Sequence, residues 1–173
     1  VQRRSGWFTF NGHYTLASNL NNFSNTENPY DVLSKWSRDS GTRRHYAVVS
    51  TTLEMPFGKG HRYLHDVPAA VDAVLGGWTM QTVSYFGSGR YFTPSFSGAD
   101  PSNTGTSGGV PDRISDGNLP TDERIVTHWF DPAAFTTPQA GRFGNSGLSI
   151  IEGQGLSVTH LSLSKSFSLT EKL

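Results

Sequence analysis

The sequence contains no cysteine and no long run of apolar residues, and its basic and acidic side chains are balanced. The absence of cysteine excludes disulfides, thiolate chemistry and cysteine-based zinc sites. No segment approaches the roughly 18 consecutive apolar residues that a transmembrane helix needs. With 14 basic and 14 acidic residues the formal net charge is zero, so there is no global electrostatic argument for nucleic-acid binding.

Hydrophobic residues are also scarce, at 35% of the chain, whereas the sequence has 19 glycines, 9 prolines, 11 phenylalanines, 6 tyrosines and 4 tryptophans. This composition predicts strands joined by long, polar, turn-rich connections. Many aromatic rings among few aliphatic side chains are typical of surfaces where one end of a ring is apolar and the other is wet. The chain begins with Val1 and shows no signal peptide. We therefore expect an internal or processed piece of a longer polypeptide.

Four segments alternate in polarity with the period of a β-strand, and they cover residues 6–17, 45–55, 77–93 and 157–169. In the last of them, Leu161, Leu163 and Phe167 alternate with serines. Such alternation separates a polar medium from an apolar one, which is either a protein core or lipid. About ten residues is the length that a tilted barrel strand needs to cross a bilayer.

The connections between these strands differ greatly in length. Residues 18–44 and 98–155 form long loops, whereas the shorter connection 56–76 carries one predicted helical turn over 68–75. Long loops on one side of the strands and short turns on the other are typical of outer-membrane barrels. We therefore predict an all-β fold with antiparallel up-and-down strands, and a single partial barrel domain over 1–173 that four or five strands cannot close.

The apolar side of the alternation supplies the candidate interface residues. The segments predict that these are Phe8, Phe10, Tyr14, Leu16, Trp78, Leu161, Leu163 and Phe167. Lys165 interrupts this side in the last strand. A lysine at the middle of a bilayer costs about 2–4 kcal/mol, so it must reach the interface, pair, or belong to a strand that does not face lipid.

Patterns that could carry chemistry are weak. Residues 105–109 read Gly-Thr-Ser-Gly-Gly, which fits a nucleophile elbow but lacks the strand before it and the helix after it. His61, His65 and Asp66 have the spacing of metal ligands only if the segment is helical, and its glycines favour a turn. The charged residues at 39 and 43–45 are interpreted as interfacial charges at a strand end, with a ligand-binding patch as the alternative. We predict no enzymatic activity, no cofactor and no metal.

Four sequence segments, taken in chain order, resemble one family. They are residues 43–60 (RRHYAVVSTTLEMPFGKG), 75–93 (LGGWTMQTVSYFGSGRYFT), 129–135 (WFDPAAF) and 141–167, which begins GRFGNSGLSIIEGQGL and ends LSLSKSF. Together they resemble the C-terminal barrel of Oar-like TonB-dependent receptors, from Trp7 to Phe167. The resemblance implies a bacterial outer-membrane location, a carboxypeptidase-regulatory-like N-terminal domain and a plug elsewhere in the polypeptide, and uptake or a surface function energised by TonB.

Two functions therefore stay open. In the first, the chain is a segment of a receptor or transporter barrel, with lipid and other strands of the same barrel as partners. In the second, a stable fragment associates with identical subunits through its edge strands into an extracellular filament or other assembly at the cell surface. Neither function involves nucleic acid.

Overall fold

The computed structural model describes residues 1–22, 27–28, 30–31 and 36–167. Its elements in chain order are β1 (Gln2–Ser5), β2 (Phe8–Leu16), β3 (Leu20–Asn21), β4 (Ser37–Arg38), β5 (His45–Glu54), α1 (Ala69–Leu75), β6 (Trp78–Gly87), β7 (Tyr91–Phe92), β8 (Asp112–Arg113), a 3-10 turn (Pro132–Ala134), β9 (Phe135–Thr136), β10 (Ile151–Glu152) and β11 (Leu156–Lys165). They divide into two compact units. Of the described residues, the first holds Val1–Thr15, His45–Gly87 and the segment from Leu156 to Phe167, and the second holds those within Leu16–Arg44 and Ser88–Gly155.

The first unit is built on one sheet of five strands in the order β1-β2-β5-β6-β11. The pairing of β1 with β2, of β5 with β6 and of β6 with β11 is antiparallel. Two hydrogen bonds connect β5 to β2 and the residue before it: the Glu54 N–H donates to the Trp7 carbonyl (2.8 Å), and the Ser50 hydroxyl donates to the Asn11 carbonyl (3.4 Å). Because the residue number rises along one strand as it falls along the other, β2 and β5 are also antiparallel. The described strands form an open sheet, and the prediction of an all-β, antiparallel, incomplete barrel is confirmed.

The strands follow the sequence pattern with two differences. The short strand β1 pairs with β2 through a two-residue turn at Gly6 and Trp7, and its residues, which include Arg3 and Arg4, carry no alternating signal that could predict it. The predicted strand 77–93 divides into β6 and β7, because the chain turns after Gly87 and Tyr91 pairs with Glu152 of β10. Part of the predicted last strand, residues 168–169, lies outside the described residues.

The connection between β5 and β6 contains α1, where the sequence predicted a helical turn. Pro68 occupies the N-cap position, and the Gly76 N–H donates to the Asp72 carbonyl at 2.8 Å to close the last turn. Gly77 follows with a φ of +72°, and its carbonyl accepts the Ser166 N–H at 2.9 Å. A Cβ at residue 77 would collide with the Ser166 carbonyl oxygen, so the two backbones approach too closely for any side chain.

We expect Gly77→Ala to lower the free energy of unfolding by about 2–5 kcal/mol, which adds the overpacking of a tight contact to the strain of a positive φ. Gly60→Ala is the matched control, because Gly60 has a φ of +80° but no atom lies within 4 Å of the place that its Cβ would occupy. It should lose only about 1–2 kcal/mol. Urea unfolding of both variants measures the difference, and equal losses would contradict the close approach.

The second unit is formed by the two long connections and contains most of the fold that the sequence pattern did not predict. Short strand pairs β3–β4, β7–β10 and β8–β9 are held together by side chains such as Asn118, which donates to the Ile150 carbonyl and accepts the Glu152 N–H, both at 2.9 Å. Asp131 caps the 3-10 turn by accepting the Ala133 N–H at 2.9 Å. Buried Asp112 forms an ion pair with Arg142.

Burial differs sharply between the two units. Among the described residues, the buried hydrophobic side chains are Val110, Ala134, Leu148 and Ile151, and all four belong to the second unit. No residue of the five sheet strands is buried. Among the described residues, the main sheet therefore contributes no fully buried core side chain.

Candidate functional site

One side of the main sheet collects the predicted interface residues. In the strand register Met80 is opposite both Leu53 and Leu163, and the bond from Glu54 to Trp7 places Phe8 beside Leu53. Because side chains alternate along each strand, this register fixes which residues share a side. We call this side the apolar face, with the apolar members Phe8, Phe10, Tyr14, Leu16, Ala47, Val49, Leu53, Trp78, Met80, Phe86, Leu161 and Leu163. Seven of the eight predicted interface residues lie here; the eighth, Phe167, follows the end of β11.

The apolar face is uncovered over much of its area. Leu161 is 68% exposed, Leu163 59%, Tyr14 62% and Leu16 63%, and Phe167 beyond the strand is 66% exposed. A continuous exposed apolar surface of this kind marks a region that contacts lipid or another protein.

Four hydroxyl groups on the apolar face bond to each other in two pairs. The Thr51 and Thr82 hydroxyls are 2.5 Å apart, and the Ser84 and Thr159 hydroxyls are 3.0 Å apart. An unpaired polar group in an apolar medium costs free energy, whereas a hydrogen-bonded pair avoids most of that cost. These four polar positions are therefore compatible with an apolar medium.

The opposite side, called the polar face, differs in composition. It carries Thr9, Asn11, His13, Thr15, Ser50, Thr52, Glu54, Thr79, Gln81, Ser162 and Ser164, together with Val48, Val83, Val158, Tyr46 and Tyr85 toward the end where the long connections begin. Bonds from the Ser164 hydroxyl to the Thr79 carbonyl (3.4 Å) and from the Ser50 hydroxyl to the Asn11 carbonyl (3.4 Å) span neighbouring strands. A strand of an outer-membrane barrel alternates in this way, with apolar residues directed outward and mostly polar residues directed inward.

Aromatic residues gather at both ends of the strands. At the end with the short connection, Trp7 and Phe8 have ring centroids 6.1 Å apart, and Trp78 begins β6. At the other end the Tyr14 hydroxyl and His45 Nδ1 are 2.6 Å apart. Rings with a polar atom at the two limits of an apolar band are typical of the aromatic girdles at membrane interfaces.

Lys165, which the sequence analysis singled out as an obstacle to lipid contact, is paired. Its ammonium donates to the carbonyls of Val74 and Gly76, both at 2.8 Å, and lies 4.8 Å from the Trp78 ring centroid. The Trp78 indole N–H donates to the same Val74 carbonyl at 2.9 Å. The last carbonyls of a helix lack partners inside the helix, so a cation there satisfies them. Lys165 thus caps α1 at the end of the sheet instead of sitting unpaired in the apolar band.

The pairing of Lys165 predicts whether its replacement lowers or raises the free energy of unfolding. Lys165→Met keeps the aliphatic length and removes the charged donor, and we expect the free energy of unfolding in detergent micelles to fall by about 1–3 kcal/mol. Lys59→Met, an exposed lysine of the same connection whose backbone N–H donates to Asp72, should change it by less than about 0.5 kcal/mol. An unpaired lysine in an apolar medium would give the opposite result, because methionine would then stabilise the protein.

The two edges of the sheet carry backbone groups that point away from it. Because the Ser166 N–H bonds to Gly77, alternation along β11 directs the N–H and C=O groups of Ser157, Thr159, Leu161, Leu163 and Lys165 outward. At the other edge Val1 pairs with Gly12, which leaves Gln2 and Arg4 of β1 directed outward. Within the described residues no strand pairs with either edge. The edge along β11 therefore offers ten unpaired polar groups to a neighbouring strand.

The residues considered for catalysis and metal binding are not brought together. Ser107 lies in an irregular loop, without the strand and helix of a nucleophile elbow. His65 Nε2 is 2.7 Å from Asp66 at an exposed position, and the described residues contain no group of three metal-ligating side chains. Within the described residues, these side chains therefore do not form an assembled catalytic or metal-binding group.

Comparison with known families gives a match over the whole chain. The family described as outer membrane beta barrel domain matches residues 1–173. Neither the curated proteins nor the solved structures contain a match. Within the described part of the chain, no helix is both long enough and apolar enough to span a membrane. The two-faced antiparallel sheet and the match over all 173 residues lead to the same conclusion: the chain belongs to the outer membrane beta barrel domain family.

Proposed function

We propose that the chain is a segment of the barrel of a TonB-dependent receptor or transporter of the Oar-like kind, in a bacterial outer membrane. The observation that carries this proposal is the uncovered apolar face, on which four hydroxyl groups bond in two pairs and Lys165 caps α1 at the end of the sheet. The apolar face contacts lipid, and the polar face lines the interior of the barrel. The partners are lipid and further strands, not nucleic acid, and the role is not enzymatic.

The long connections support a receptor in particular. They leave the sheet after β2 and β6 and together make up a compact unit with its own buried residues and ion pairs. Long extracellular loops that keep a fixed shape are suited to binding a ligand at the mouth of a barrel. The sequence segments that resemble Oar-like receptors occur in the same order as in that family, which favours the receptor class among outer-membrane barrels. Transporters of this class have about 22 strands, so many strands besides those described here are needed to close the barrel.

A second candidate is favoured by the open edges. The edge along β11 is ten residues long and exposes leucines, which makes it a template for strand addition by another copy. In this alternative the chain is a structural subunit, and repeated strand addition builds a filament or a barrel of several subunits at the cell surface.

Intact mass of the polypeptide purified from outer membranes distinguishes the two candidates. The receptor proposal predicts a single polypeptide several times the 18.9 kDa of this chain, extracted with detergent as discrete particles in negative-stain electron microscopy. A species near 18.9 kDa found in filaments or multi-subunit rings would overturn the receptor and support the structural subunit.

A further inference from the structure

The second unit contains a recess that the barrel role does not explain. It is shallow and open to solvent, with a cavity volume of about 20 Å³, and is lined by Ala17, Ser18, Asn19, Arg38, Asp39, Thr42, Arg44 and Tyr91. All of these residues belong to the second unit. This volume is far below that of a pocket that encloses a whole small molecule, so the recess suits a single charged group held at its open surface.

Backbone hydrogen bonds fix the frame of this recess. Arg38 pairs with Leu20 in the β3–β4 ladder, and the Asp39 N–H continues that ladder by donating to the Asn19 carbonyl at 2.9 Å. The Ala17 N–H donates to the Arg44 carbonyl at 2.9 Å. Both arginines are therefore anchored on defined backbone, and a site built on paired segments is more precise than one on a free loop.

Arg38 is held in an orientation that leaves its donors available. Its guanidinium carbon lies 4.4 Å from the centroid of the Tyr91 ring, and Tyr91 is itself fixed by pairing with Glu152 of β10. Stacking uses the flat face of a guanidinium, so the N–H groups around its rim remain free to bind an oxyanion with two parallel bonds. In the described chain, Arg38 makes no ion pair with a carboxylate.

The carboxylate of the recess already accepts hydrogen bonds from neighbouring side chains. The Asp39 carboxylate accepts the Thr42 hydroxyl at 2.5 Å and the Asn21 amide at 3.2 Å. The Thr42 hydroxyl, followed by the backbone N–H of Gly41, lowers the pKa of Asp39 below its ordinary value, so the carboxylate stays ionised and bound to these donors at neutral pH. Arg44 also forms no ion pair among the described residues. Two guanidinium groups against one engaged carboxylate leave the recess with a positive charge.

We propose that this recess binds a phosphate group, through the guanidinium groups of Arg38 and Arg44. Arginine is suited to phosphate because its rigid fork of donors matches two phosphate oxygens at once. The phosphate could belong to a free phosphate compound or to a lipid headgroup, and both present the same oxygens to the site. The inference concerns the second unit alone and does not depend on the receptor assignment.

Calorimetric titration of the full chain in an uncharged detergent with inorganic phosphate tests the site. We expect wild-type protein to bind phosphate at millimolar or lower concentration, and Arg38→Gln and Arg44→Gln to bind about tenfold more weakly, since each loses a charge-assisted contact. Arg62→Gln is the matched control, because Arg62 also lies over a tyrosine ring, 5.6 Å from the Tyr63 centroid, but is outside the recess. It should bind phosphate like wild type.

Equal phosphate affinity in wild type, Arg38→Gln and Arg44→Gln would overturn the proposal, as would no detectable binding to wild type. Far-UV circular dichroism checks that each variant keeps its strand content, and Arg44→Gln carries the test if the loss of the Arg38 stack unfolds the recess. A second titration with short-chain phosphatidic acid identifies the source. Tighter, arginine-dependent binding of this lipid indicates a headgroup, whereas arginine-dependent binding of inorganic phosphate alone indicates a free phosphate compound.

Discussion

Replacing Leu161 by arginine is expected to destabilise the protein in lipid by about 2–4 kcal/mol, the cost of a charged side chain near the middle of a bilayer. Leu161 is opposite Thr82, near the centre of the ten-residue ladder between β6 and β11, and its side chain is 68% exposed on the apolar face. An arginine there is far from both ends of the strand, where long side chains reach the interface. Chemical unfolding in phospholipid vesicles measures the effect.

Ser162→Arg is the matched control, because Ser162 is the next residue of the same strand, opposite Gln81 on the polar face. We expect it to change the free energy of unfolding by about 1 kcal/mol or less, since the interior of a barrel accepts charge. A similar loss at both positions would show that neither side of β11 faces lipid. A larger loss at Ser162 would show that the two faces are exchanged.

Introducing proline at Leu163 is expected to block pairing at the free edge while leaving the sheet intact. The N–H of Leu163 points away from β6, so proline removes no bond from the β6–β11 ladder, and edge positions of this kind tolerate proline. The change takes away one outward donor and places a ring where a neighbouring strand must approach. In analytical ultracentrifugation of the refolded chain, we expect the variant to need a concentration about tenfold or more above wild type to associate.

Ser164→Pro is the control for the edge prediction, because alternation directs the N–H of Ser164 into the ladder with β6. This variant should lose strand content in circular dichroism, whereas Leu163→Pro should keep it. Association of Leu163→Pro at the wild-type concentration would mean that the edge along β11 is not the surface through which neighbours pair.

Alternation of polarity was enough to predict the central strands and the apolar face. In the segments that became β2, β5, β6 and β11, apolar and polar side chains occur with a period of two, which is the period of a strand whose two sides differ in polarity. The same reasoning placed Phe8, Leu161 and Leu163 on one side before any register was known. Strand β1 was not predicted because two arginines and a short length give no alternation, and only the turn at Gly6 and Trp7 hints at a hairpin.

The second unit could not be predicted from pattern, because its order comes from single long-range contacts. Asn118 bonds to residues more than thirty positions away, and Asp112 pairs with Arg142 across a similar separation. Such contacts have no period and leave no local signal. Pairing was one of three alternatives that the sequence left open for Lys165, and its partners could not be identified for the same reason, since the acceptors Val74 and Gly76 lie about ninety residues earlier in the chain. The charged cluster that includes Asp39 and Arg44 was noticed, but Arg38 and Tyr91 were not associated with it.

We propose that the main sheet separates lipid from water, and the absence of cysteine allows this to be measured directly. Single cysteines at each position from 157 to 166, labelled with a nitroxide in vesicles, report collision with oxygen, which concentrates in lipid, and with a water-soluble nickel complex. Oxygen accessibility should peak at the odd positions, with nickel accessibility peaking at the even positions, and the alternation should fade toward Lys165. High nickel accessibility at Leu161 and Leu163, or the same accessibility on both sides of the strand, would show that the apolar face does not contact lipid.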